Sequence, residues 1–290
     1  MGRRELTVAD VVRRAIRQSH ERLVAHEADL RVNDDPESVH QARVAARRLR
    51  SDLATFGRFL DKQWAADLRA DLRWIGSELG AVRDIEVQRD RLRGHAAQLP
   101  PAEAEAARRV IRRLDADREA ARFDLLAMLA QARFTHAMGK LAEAAKRPAF
   151  TDAAFTPASD ALAAVVRRPW KKVRRSVRNL GDNPPDAALH AVRVRAKRAR
   201  YAADAAEPVF GKPARRLSRA MARVQDVLGE HHDAVVACDW LGKTAHECSP
   251  TEAYAIGMLA QIERGAATAA RDEFPSVWRR VDTQRVHGWL

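Results

Sequence analysis

His40, Arg43, Arg47 and Arg50 follow one another at spacings of three, four and three residues, and His190, Arg193, Lys197 and Arg200 do the same. On an α-helix that spacing is one narrow stripe, about 15 Å from end to end at about 1.5 Å per residue. Arg offers a planar fork that donates two parallel bonds to phosphate oxygens, Lys a compact charge, and His a donor whose charge rises beside an anion near neutral pH. The chemistry of such a stripe is the holding of closely spaced negative charges, as on a linear polyanion. An Arg run on a helix is ordinarily a solvated face with nothing bound. Two features weigh against that here: few acids neutralise either stripe, and the stripes recur at an offset of 150 without a gap.

A second basic cluster precedes the second stripe: Arg167, Arg168, Lys171, Lys172, Arg174, Arg175 and Arg178. Residues 167–200 hold twelve bases against Asp182 and Asp186, a density of like charge that costs stability unless screened or occupied by an anion. Lys171, Arg174 and Arg178 are the ligand candidates there, while Arg167 and Arg168 suit the capping of a turn. Arg13, Arg14, Arg17 and His20 form a thinner counterpart in the first half, with Arg17 the candidate. Other motifs are weaker. His231-His232-Asp233 offers metal-ligand atoms, but adjacent side chains diverge on a helix and the matching triplet is Val82-Arg83-Asp84, so no metal or other cofactor is expected. Leu79-Gly80-x-x-x-Asp84 matches Leu228-Gly229-x-x-x-Asp233, and reads as a turn or helix junction where Gly permits close packing and the Asp caps or pairs with a base. No P-loop, GxSxG elbow, HExxH or zinc-spaced Cys/His cluster is present, and Glu103 and Glu105 stand in an Ala-rich helix with no Lys in register. No catalytic residue is assigned, and a binding protein rather than an enzyme is expected.

The elements that must carry these stripes are helical throughout. Apolar residues make up 46% and aromatics 6%, with Ala, Leu and Arg abundant and only 13 Gly and 12 Pro in 290 residues, a helix-former's composition. Turn signals at Asn33 to Pro36, Pro100-Pro101, Arg147-Pro148, Gly181 to Pro185 and Ser249-Pro250 divide the chain into helices over 7–31, 36–60, 62–79, 84–97 and 101–133, then 158–180, 185–207, 212–228, 232–246 and 250–272. Asp35 before Pro36 and Asn183 before Pro184 read as N-caps of the two striped helices. The fold class is all-α: two tandem pseudo-symmetric helical bundles from an internal duplication, residues 1–149 and 150–290, joined near Pro148 to Pro157 and enclosing a basic cavity between or along them. The net charge of +13 divides as +6 and +7 between the halves, so an acidic partner faces both. Cys238 and Cys248 lack the spacing of a metal site or a disulfide framework, no apolar run reaches the length of a membrane span, and the N-terminal Met1 to Glu5 leads into an amphipathic segment. A cytoplasmic, membrane-free protein is expected.

The two His-x-x-Arg-x-x-x-Arg/Lys-x-x-Arg helices, each followed by Leu-Gly-x-x-x-Asp, resemble the CHAD family, the conserved-histidine α-helical domain, over essentially the whole chain. Val39 to Arg50 and Leu189 to Tyr201 look like that family's two signature helices. The resemblance implies paired helical bundles around a basic cavity, binding of inorganic polyphosphate and association with polyphosphate granules. Carried over residue by residue, the binding positions are His40, Arg43, Arg47, Arg50, His190, Arg193, Lys197 and Arg200. Ala45 stands where the second helix has Arg195, so contact on that flank is one-sided. Members are often fused to a triphosphate tunnel domain, for which this chain has no room. Two competing readings are a nucleic-acid binder, which the charge allows although none of the sixteen aromatics interleaves with the stripes, and a phosphoryl-transfer or polyphosphate-metabolising enzyme, which would need a metal-binding acidic cluster beside them.

Overall fold

Asp35 begins the first striped helix as its sequence foretells: its carboxylate accepts from the backbone N–H groups of Glu37 and Ser38, and Pro36 takes the first helical position, where no donor is lost. The structure, a computed structural model, describes residues 5–290; the N-terminal lead at residues 1–4 lies outside the described residues. The described chain is all-α. Helices α1 (Val8–Val32), α2 (Pro36–Thr55), α3 (Lys62–Ala96), α4 (Pro101–Ile111), α5 (Arg113–Leu129) and α6 (Ala132–Lys146) precede α7 (Ala158–Arg178), α8 (Asp186–Phe210), α9 (Lys212–Ala245), α10 (Pro250–Val281) and the short α11 (Gln284–His287).

Three expectations are corrected. The Leu-Gly-x-x-x-Asp elements are neither turns nor junctions: α3 and α9 run unbroken through Gly80 and Gly229, and the pairs of helices expected at 62–79 with 84–97 and 212–228 with 232–246 are single helices about 50 Å long. A Gly inside a helix costs about 1 kcal/mol against Ala, which buried packing on either side outweighs; Leu79, Gly80, Val82, Leu228 and Gly229 are all buried. The helix expected over 101–133 is instead three pieces, interrupted at Arg112 and at Ala130-Gln131 without any Gly or Pro. Asn183 does not cap α8. A residue before a proline is disfavoured in the helical region, and Pro185 is itself extended as the N-cap, so the helix starts only at Asp186; the Asn183 side chain accepts from Arg271 instead.

Two apolar cores form, and each draws on both halves of the chain. The larger lies among α1, α2, α3, α7, α8 and α9, around Leu49, Leu53, Leu72, Leu162, Val192 and Leu217. The smaller gathers Leu92 and Ala96 from the end of α3, Val110 and Ile111 from α4, Leu241 from α9 and Ile256 and Leu259 from α10. The segment between α6 and α7 is stitched to the first half: the Asp61 N–H donates to the Ala149 carbonyl at 2.8 Å, and the Ala158 N–H to that of Leu6 at 2.8 Å. No described helix is long and apolar enough to cross a membrane.

Ion networks anchored on buried carboxylates join the elements. Arg91 of α3 reaches across to Glu230 of α9 at 2.7 Å and to the fully buried Glu263 of α10 at 2.7 Å, and His95 bonds the second oxygen of Glu263 at 2.9 Å. Arg118 of α5 ties Glu86, also fully buried, to Asp34 ahead of α2. Arg48 of α2 lies over the Tyr201 ring of α8 and pairs with Asp204 at 2.8 Å. The last contact binds the two striped helices directly to each other.

Candidate functional site

Each stripe is presented by a helix whose opposite face is apolar. In α2 the residues Val39, Ala42, Ala46, Leu49 and Leu53 are buried, and in α8 Leu189, Val192, Ala196 and Ala199. That period leaves His40, Arg43, Arg47 and Arg50, and His190, Arg193, Lys197 and Arg200, at intermediate exposure on the other side. They are neither in the core nor free in solvent. The small Ala residues let α2 and α8 approach their neighbours closely and set the cations near the floor of the site.

Gly80 and Gly229 supply that floor. The Arg43 guanidinium lies across Gly80, with its Nε 3.8 Å from where a Cβ would stand, and Arg193 lies across Gly229 with its Nε at 3.5 Å. One turn on, Asp84 fixes Arg43 through Nη1 at 2.7 Å. In the second half the partners differ: His190 and His232 meet Nδ1 to Nδ1 at 3.2 Å with ring centroids 4.3 Å apart. Two ring nitrogens at that distance share one proton, so at least one ring is uncharged. Burial, helped by His190 and Arg193, drives His232 down to about 4.

The two stripes act on one another across the halves. Lys197 of α8 is pushed down to about 7, first by burial and then by Arg47, Arg193 and Arg43, with Asp233 opposing. His40 is lowered by burial, by Arg83 and by its own stripe, and His190 by burial, Arg193 and Lys197. Even an arginine is affected: burial and the neighbouring Arg73, Arg47, Arg69 and Arg198 lower Arg50. The Nε atoms of Arg47, Arg69, Arg83 and Arg193 are buried without a protein acceptor. A buried donor left unpaired costs about 1–3 kcal/mol, so these four arginines hold unspent capacity for an anion.

Of the remaining sequence candidates, Arg17 is exposed on α1 and lies 3.7 Å from Glu21. Arg174 is held by Asp282 at 3.0 Å, and Lys171 and Arg178 are exposed on α7; no described contact brings these three to the facing stripes. Arg200 is half-buried on α8 at the position matching Arg50. Arg195 bonds Ser176 of α7, which accounts for the one-sided flank. His231 and His232 diverge, the first to Asp186 at 3.2 Å and the second to His190, and no group of three metal-ligating side chains occurs among the described residues. Sequence reasoning missed Arg69, Arg73, Arg83 and Arg198 as members of the cluster. A signal existed for two of them: Arg69 and Arg73 recur as Arg219 and Arg223 at the same offset of 150 that relates the stripes.

Fold and site thus define an all-helical protein that gathers cations from both halves of its chain onto one face. Residues 14–242 match the profile of the CHAD domain, and the chain belongs to that family. It is 29% identical to uncharacterized proteins from two strains of Mycobacterium tuberculosis, over 94% of its own length and 53% of theirs, so the chain spans about half the length of the curated relatives it matches. Among solved structures it is similar to PptA from Streptomyces chartreusis, at 25% identity and a TM-score of 0.79 with 94% of this chain and 100% of that one covered. The CHAD domain from the plant Ricinus communis shares the fold at 24% identity and a TM-score of 0.70, over 99% of this chain and 93% of that one.

Proposed function

We propose that this protein binds inorganic polyphosphate without transforming it, through the facing stripes of α2 and α8 and the arginines of α3 that adjoin them, and that it does so at polyphosphate granules in the cytoplasm. The observation that carries this reading is the set of buried, acceptor-free guanidinium nitrogens on Arg47, Arg69, Arg83 and Arg193, clustered with a lysine whose charge is suppressed to a pKa of about 7. Cations gathered this closely with so few acids repel one another. A chain of phosphates relieves that repulsion, satisfies the idle donors and restores the Lys197 charge in one event. Phosphate oxygens fit the planar Arg fork, and a linear chain offers many of them at short intervals. Counterions released from the polyanion add an entropic term that weakens with salt.

The direct test is titration of the intact protein with medium-chain polyphosphate, followed by gel analysis of chain length after prolonged incubation, with and without added Mg²⁺. Saturable binding with chains of unchanged length is the expected result. Shortened or lengthened chains would replace the binding reading with that of an enzyme.

A further inference from the structure

Outside the facing stripes, a third run of cations has almost the same spacing. Lys212, Arg216, Arg219 and Arg223 of α9 stand at intervals of four, three and four residues, one stripe of about 17 Å along the helix. All four are exposed. With the neighbouring Arg215, Arg280 near the end of α10 and Arg285 of α11 they line an open groove of about 540 Å³. Arg216 donates to the Arg285 carbonyl at 2.8 Å, fastening α11 to α9 across one side of it.

Glu207 neutralises only Arg215, at one edge of the groove, and Asp282 is turned to Arg174 and His287. Of the seven lining cations only Arg215 has an ion-pair partner among the described residues, whereas many other exposed arginines of the chain do, such as Arg93 with Asp115 or Arg113 with Glu247. Concavity matters as well, because a cleft lined by one sign of charge concentrates the potential and draws in counter-ions. At an offset of 150 the α9 stripe falls on Lys62, Ala66, Arg69 and Arg73 of α3, so three of its four cations have counterparts and Arg216 is the one the second half adds.

We propose that this groove is a second polyphosphate site, separate from the facing stripes; the inference rests on the function proposed above. Its occupant is a run of phosphates, supplied either by the trailing part of a chain held in the stripes or by a second chain. Calorimetric titration of the intact protein separates these, using a short polyphosphate of fixed length and a long one, at two salt concentrations, on the wild type, on Arg219→Glu/Arg223→Glu and on Arg43→Ala/Arg193→Ala. The short chain is expected to bind the wild type twice and each variant once. If one long chain runs through both sites, the groove variant loses at least tenfold in long-chain affinity at unchanged stoichiometry; if two chains bind, it loses one of two equivalents. Short-chain binding to the groove variant that equals the wild type in number and strength would overturn the second site and leave the first standing. Loss of everything in the groove variant with full retention in the stripe variant would overturn the reading of the stripes while keeping the groove. A groove variant that loses only duplex DNA binding would make this surface a nucleic-acid contact and sink the proposal. Circular dichroism and thermal unfolding check the fold, and Arg219→Gln/Arg223→Gln, which removes charge without reversing it, gives the same answer should the Glu variant prove unstable.

Discussion

Arg43 and Arg193 lie flat across glycines with their charges on the surface of the site, so their loss should remove binding and not folding. Arg43→Ala or Arg193→Ala is expected to weaken polyphosphate binding about tenfold or more, the range for a hydrogen bond to a charged group, with the thermal midpoint little changed; unfolding of either variant would place the residue in the core. Lys197 carries a distinct signature. Its pKa of about 7 in the free protein rises toward the ordinary lysine value when an anion arrives, so the protonated form is favoured by binding. Affinity is therefore independent of this group below about pH 7 and falls above it, as each complex must take up a proton. Calorimetry at pH 8 to 9 in buffers of differing ionisation heat should show proton uptake approaching one per site, and Lys197→Gln should abolish it. The same shift works on stability: the unfolded chain holds this proton more tightly between pH 7 and 10.5, so stability contributed here rises with pH across that window. The rungs were legible in the sequence because helical period and residue type determine them. The neutral partner of His190 was not, since His232 lies 42 residues away and only the packing of α8 on α9 brings the rings together.

Helices decide how rigidly those rungs are held. A Cβ at Gly80 or Gly229 would meet Arg43 or Arg193 at ordinary contact distance, 3.8 and 3.5 Å. Gly80→Ala and Gly229→Ala should therefore raise stability by up to about 1 kcal/mol each, from helix propensity, and leave binding intact. Gly229→Leu should displace the Arg193 fork and reduce affinity as Arg193→Ala does, which denaturant unfolding and titration of the same samples can check. Glycine's poor propensity is what made Leu-Gly-x-x-x-Asp look like a junction, yet the helix is continuous there and an arginine packs over the glycine at ordinary contact distance. The pairing of an Asp with a base was foreseeable and occurs between Asp84 and Arg43. The breaks at Arg112 and Ala130-Gln131 carry no Gly or Pro to announce them. At the second of them Arg31 of α1 donates to the carbonyl of Leu129, the last residue of α5, a contact from 98 residues away that no local signal announces.

At the scale of the molecule, both cores mix residues from the two halves, and Arg91 bridges them through Glu230 and the fully buried Glu263. Arg91→Ala leaves a buried carboxylate beside His95 without its main counter-charge, and is expected to cost about 3–5 kcal/mol, the range for breaking a buried pair, in a denaturant titration monitored by circular dichroism. The halves were visible in the sequence as a matching order of motifs, but their interlocking was not, because an offset says nothing about which faces meet. The facing of α2 and α8 is what turns two ordinary basic helices into one cluster of suppressed charge. If the cluster is fitted to a chain of phosphates rather than to any polyanion, polyphosphate must hold its place in competition. Labelled medium-chain polyphosphate bound to the intact protein at physiological salt is challenged with single- and double-stranded DNA of equal total charge. Neither DNA is expected to displace the polyphosphate at equal charge, and the preference is expected to shrink in Arg43→Ala/Arg193→Ala. Displacement by either DNA at parity would contradict that fit and make the protein a nucleic-acid binder.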